Sequence, residues 1–151
     1  MKSLIAAAVL AVSLVGPATA QQLDGDSLTW LVGTRAHTNA NGSKIYEAFI
    51  GPLNGVVTGT ALFPGGVEYH KLGPGPDGKA YGLSVANTRS NLVWNFTPLK
   101  AFEKDRVIFE TPDGSLRIQY FLKPGDTIGA KVERIANGQT TTTEYSFAPL
   151  E

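Results

Sequence analysis

Two carboxylates lie where a sheet would not ordinarily place them: Glu47 in Ile45-Tyr46-Glu47-Ala48-Phe49, and Glu68 in Val67-Glu68-Tyr69-His70. A pair of inward carboxylates can work as acid and base if burial raises the pKa of one of them. The same groups, with Tyr46 and His70, can instead orient the polar end of a bound molecule. Against both readings stands the ordinary one, in which each carboxylate faces water or pairs with Arg106, Arg117 or Arg134 across the sheet. His37 and His70 are the two histidines of the chain and Cys is absent. Two histidines on different strands are fewer ligands than a structural zinc site wants, so no metal is expected. The chain contains no Gly-x-Ser-x-Gly elbow to present a nucleophile. No catalytic set and no cofactor is assigned on these residues.

The elements that must position them follow from periodicity. Leu23 to Val32 carries Asp residues that can cap a helix and places Leu28, Leu31 and Val32 at i, i+3 and i+4, the spacing of one short helical turn ended by Gly33. Beyond it the period changes to two, interrupted by turn chemistry at short intervals, the pattern of successive hairpins. Strands are predicted at 34–38, 43–50, 56–63, 67–72, 79–87, 91–97, 106–111, 115–123, 127–135 and 139–147, with a short extended piece at 99–103, which amounts to nine or ten strands with short connections. Neighbours in sequence are then neighbours in the sheet, and so many twisted strands tend to close. The expected fold is all-β, an antiparallel up-and-down barrel behind a short N-terminal helical turn, with a β-sandwich as the alternative. Trp30, on the helical turn, is expected to lie largely buried beneath the barrel.

Residues 1–20 have the layout of a cleavable leader. Met1-Lys2-Ser3 is the positive start, Leu4 to Val15 the apolar run, and Ala18-Thr19-Ala20 the small-x-small site before Gln21. The run is too short for a span of about 20 apolar residues and is followed by Gly16-Pro17. Export to the periplasm or outside the cell is expected, with cleavage after Ala20 and residues 21–151 forming one domain. Lys plus Arg and Asp plus Glu each total 13, so loss of Lys2 with the leader leaves a net charge of −1. That balance gives no electrostatic reason to expect nucleic acid as a partner. No cysteine stands near the cleavage site to carry a lipid anchor.

Trp30-Leu31-Val32-Gly33 opening a run of hairpins resembles the start of lipocalin-like barrels. With Glu47-Ala48-Phe49 followed by Pro and Gly, and Val107-Ile108-Phe109-Glu110 followed by Pro112, the chain is similar to a bacterial family of exported, lipocalin-like (calycin-type) domains without an assigned activity. Where that family has a His-Asp-Phe-Pro segment, this chain has Pro112-Asp113-Gly114-Ser115. The resemblance implies a lipocalin-like barrel.

The inward aromatics of such a barrel either fill it or line a cavity. Strict alternation puts Leu92, Trp94 and Phe96 on one face, expected to point inward. The small residues Gly59, Ala61, Ala80, Gly82, Ser84 and Ala86 would leave space if they did the same. The reading that follows is a binding module for a small, mainly apolar or amphipathic molecule. Phe49, Trp94, Phe96 and Tyr120 would hold its body, and Tyr46, Glu47, Glu68 and His70 its polar end. Its alternatives are an enzyme with Glu47 or Glu68 as acid or base, and an interaction protein with a filled barrel.

Overall fold

The computed structural model describes Leu23 and residues 25–150, so the leader lies outside the described residues. Gly25–Leu31 form a 3₁₀ turn, in which side chains three apart eclipse one another. Gly25, Leu28 and Leu31 are accordingly all buried. Gly25 rests directly on the backbone of Gly55, with no room for a β-carbon between them.

Ten strands follow: β1 (Gly33–Thr38), β2 (Lys44–Leu53), β3 (Val56–Phe63), β4 (Gly66–Pro74), β5 (Tyr81–Asn87), β6 (Asn95–Glu103), β7 (Arg106–Glu110), β8 (Leu116–Lys123), β9 (Thr127–Ala136) and β10 (Gln139–Pro149). Each pairs antiparallel with its sequence neighbours, and β1 pairs with β10 to close the barrel. The up-and-down barrel expected from the short connections is the observed fold. Closure removes both sheet edges. The β1–β10 seam is the shortest of the ladders, with Arg35 opposite Pro149 and Ala36 opposite Ala148. Where it stops, the Ser146 amide donates to His37 Nδ1 at 3.1 Å.

The chain departs from the predicted strands between residues 88 and 94. Thr88–Ser90 form a second 3₁₀ turn, capped by the Asn87 side chain accepting from the Ser90 amide, and Asn91 and Leu92 adopt positive φ of 53° and 57°. The two segments predicted at 91–97 and 99–103 are instead one strand, β6, running through Pro98. Its first half pairs with β5, its second half with β7, and a register shift falls between Leu99 and Ala101. An irregularity there suits a proline, which cannot donate to a ladder.

One end of the barrel is packed solid. Leu28 and Leu31 from the turn meet Phe49, Val57, Leu72, Val107, Phe109 and Ile128 in the core, each worth roughly 1.5–3 kcal/mol of transfer free energy. Trp30 is only partly buried and packs against the outside of this cluster. Leu28 and Leu31, a full 3₁₀ period apart, therefore make the plug that had been expected of the indole. Arg35 locks the turn to the barrel wall. Its guanidinium donates to the carbonyls of Leu31 at 2.7 Å, Trp30 and Val32 at 3.2 Å, and Asp126 at 3.1 Å. The carbonyls of Trp30, Leu31 and Val32 lie at the end of the helical turn, where they lack partners within it, and that of Asp126 belongs to the turn between β8 and β9.

The outer face of the second half carries the ion pairs. Lys100 and Arg117 flank Glu110, Arg117 also reaches Glu133, and Glu133 meets Lys131. Val107 and Phe109 point the other way, fully buried, as their alternation with Arg106, Ile108 and Glu110 requires.

Candidate functional site in the barrel interior

Above the packed end lies a cavity of about 300 Å³, with Ala61, Leu83, Val85, Ile118, Ala130 and Val132 among its apolar walls. Leu83, Val85 and Ala61 alternate with outward neighbours on β3 and β5, while Ile118 and Val132 face each other across β8 and β9. Asn95 and Arg134 also line the cavity, yet both are exposed, so they mark its mouth.

Polar groups from β2 and β4 converge in the wall. Glu47 and His70 are 4% and 5% exposed, a burial that side chains of their type reach only when something compensates it. The register that pairs Glu47 with Ala61, and Ala61 with Glu68, brings the carboxyls to the same side of the barrel. His70 stands between them. Its Nδ1 is 3.9 Å from Glu47 Oε1 and its Nε2 is 3.5 Å from Glu68 Oε2. Nδ1 is buried without a hydrogen-bond partner. Phe49, fully buried, packs behind the lining, its ring centroid 5.6 Å from that of His70 and 5.9 Å from that of Tyr120.

Burial sets the electrostatics. Desolvation pushes the Glu47 carboxyl up to about 8, against a smaller downward pull from Arg35, with the Glu68 charge adding to the rise. Glu47 therefore carries a proton at neutral pH. The Tyr120 phenol is raised too, first by burial and then by the charges of Glu47 and Glu68. Burial lowers Arg35, while the charges of Glu47 and Asp126 oppose that shift; an arginine remains a cation throughout.

Comparison with family models, with curated proteins and with solved structures finds no match to this chain. What the interior can do rests on its own geometry.

Of the residues singled out in the sequence, Glu47, Glu68, His70 and Tyr120 are brought together around the cavity, with Phe49 beneath them. Glu47 does not pair with an arginine on the outer face. Tyr46, Trp94 and Phe96 are elsewhere. Tyr46 has the opposite parity to Glu47 and is 39% exposed. Trp94 precedes β6, is 54% exposed and shares a shallow outer depression with Ile50, Thr58, Thr60 and Tyr69.

Phe96 lies on the outside, its ring so close over Gly82 and Gly75 that neither could carry a β-carbon. Hence the face of β6 that points inward is Asn95 and Thr97, not Trp94 and Phe96. The small residues of β5 face outward as well, because Leu83 and Val85 face in. Ala61 does line the cavity, whereas the space at Gly59 is filled by the Phe49 ring.

Asn87, Asn95, Thr97 and Tyr145 also line the cavity and were not singled out in the sequence, and Arg134, named there only as an ion-pair partner, lines it too. Asn87 was legible, two positions beyond Val85 on one strand. Among the described residues, no group of three His, Cys, Asp or Glu side chains is placed to hold a metal ion.

Proposed function

We propose that this chain is an exported, lipocalin-like binding protein that takes a small, mainly apolar molecule into the barrel, polar end towards Glu47, His70 and Glu68. The observation that carries the reading is the cavity, closed below by Leu28, Leu31 and Phe49 and open above at Asn95 and Arg134. Its volume stands at the lower end of the roughly 300–1,000 Å³ typical of ligand sites, and its apolar walls with a few convergent polar groups are their usual make-up. The buried, unpartnered Nδ1 of His70 supports it further, since such an atom costs about 1–3 kcal/mol until a partner arrives.

The test is a titration of residues 21–151 with small aromatic alcohols and amines, followed by amide chemical shifts. Saturable shifts centred on Glu47, Ala61, His70, Val85 and Tyr120 are expected. Shifts confined to the surface around Trp94, or none, would reject the reading. For export, mass spectrometry of the protein recovered from outside the cytoplasm should show Gln21 as the first residue, and retention of Met1–Ala20 would reject the leader.

One observation favours a second reading. A carboxyl protonated at neutral pH beside an imidazole is the arrangement that general acid–base chemistry uses, and Glu47 with His70 provides it. Turnover of a bound molecule that Glu47→Gln abolishes without weakening its binding would move the assignment from carrier to enzyme.

A further inference from the structure

The cavity holds two carboxyls and one imidazole within a few ångströms of each other, against apolar side chains of β3, β5, β8 and β9 on one part of the wall and Asn87, Asn95 and Thr97 on another. With the proton on Glu47, the Glu68 carboxylate leaves the cluster of Glu47, His70 and Glu68 with one net negative charge. The cations nearby do not cancel it. Arg35 has its donors engaged by four backbone carbonyls and has the Asp126 charge beside it. Arg134 stands at the exposed mouth, near Tyr145. Tyr120 and Tyr145 are neutral phenols, and His37 packs behind Tyr145 and Phe147. A carboxylate guest would add a second negative charge in a poorly hydrated space, where each unpaired charge costs several kcal/mol. A protonated amine that takes the place of the Glu47 proton leaves the net charge no more negative than before binding, with the aromatic face of Tyr120 close by.

On the reading that the cavity binds a ligand, we propose that its guest is a small apolar amine, bound as the ammonium ion between Glu47 and Glu68, and that binding expels the Glu47 proton. The proton leaves the carboxyl for bulk water and the N–H⁺ of the guest takes over its electrostatic role; no bond to the guest forms or breaks. Because Glu47 holds its proton up to about pH 8, amine affinity rises by about tenfold per pH unit below that point and levels off above it.

Three probes of matched shape test this on residues 21–151: 2-phenylethylamine, 2-phenylethanol and 3-phenylpropionate. Calorimetry at pH 7 in two buffers of different ionisation enthalpy counts the protons released. The amine is expected to bind at least tenfold more tightly than the alcohol, with close to one proton released, and the carboxylate to bind weakest. Glu47→Gln should abolish the proton release and bring the amine-to-alcohol affinity ratio down to near one. Glu68→Gln, at a half-exposed position, should weaken the amine alone. Alcohol or carboxylate binding as tight as the amine, or amine binding with no proton released, overturns the proposal and leaves the cavity reading standing. An amine preference that survives both substitutions also overturns it. If none of the three probes binds, both readings fall together.

Discussion

Glu47 makes the stability of the barrel depend on pH in a direction opposite to that of most carboxylates. In the fold its carboxyl titrates near 8, and in the unfolded chain near the ordinary 4.5. Between those values the folded state holds a proton that the unfolded state has lost. Unfolding then releases a proton, and the free energy of unfolding falls as pH rises. The contribution is fully present below about pH 4.5, is lost progressively up to about 8, and is flat beyond. At about 1.4 kcal/mol per pH unit, the loss across the interval is of order 4–5 kcal/mol, a large part of the roughly 5–15 kcal/mol that holds a domain together. Glutamine has the same shape and no proton to lose. Urea denaturation of the parent and of Glu47→Gln at pH 5, 6, 7 and 8 should give curves that diverge, the parent losing stability relative to the variant at each step. The outer carboxylates act elsewhere: Asp113, held down to about 2 by the Ser115 amide and the Thr111 and Ser115 hydroxyls, contributes with the opposite sign and below this window. Parallel pH dependences for parent and variant would refute the argument.

Leu31→Ala should cost about 2–5 kcal/mol, as for a fully buried leucine, and Trp30→Ala less than the roughly 3–5 kcal/mol of a buried indole; equal losses in chemical denaturation would contradict the assignment of the plug. Gly129→Val sets a side chain into the Phe121 ring that lies over it, and should destabilise by about 1–3 kcal/mol. Combined with Phe121→Ala, its measured cost should be smaller than the sum of the two single changes, because the clash is then gone. Trp94→Ala should change stability by less than about 0.5 kcal/mol and should remove most of the iodide-quenchable emission, since Trp30 is the better covered of the two indoles.

The barrel was legible in the chain because closure follows from short turns, and the turns are written in Asn-Gly, Pro-Gly and Asp-Gly pairs that need no tertiary help. The segment 88–94 was not. Its Leu92-Val93-Trp94 continues a strand-like pattern, and nothing local announces that Asn91 and Leu92 turn left-handed and carry the chain out of the sheet. Trp30 shows the same limit on a smaller scale. A helical turn read at 3.6 residues per turn does not single out one buried side chain, whereas the 3₁₀ period of three selects Gly25, Leu28 and Leu31 and leaves the indole at the margin.

Within the site, legibility divided by strand. On β2 and β4 the carboxylates and His70 share parity with buried apolar partners, Ile45 and Phe49 on one, Leu72 on the other, so period two favours the inward placement over the outward, ion-paired one that stood beside it. On β6 the same rule failed, and the reason is physical. Hydrophobic alternation identifies an inner face only when the outer face meets water. Here the outer face of β5 offers Gly82, whose bare backbone is covered by the Phe96 ring in the manner of an aromatic lying over a strand glycine. Apolar surface was therefore buried on both sides of the sheet, and the more polar face, Asn95 and Thr97, went to the cavity. The consequence for function is direct. On the reading that the cavity binds a ligand, a wall that includes Thr97, Asn95 and Asn87 holds more hydrogen-bonding capacity than one of Trp94 and Phe96, and so adds polar partners for a guest beside those of Glu47, His70 and Glu68.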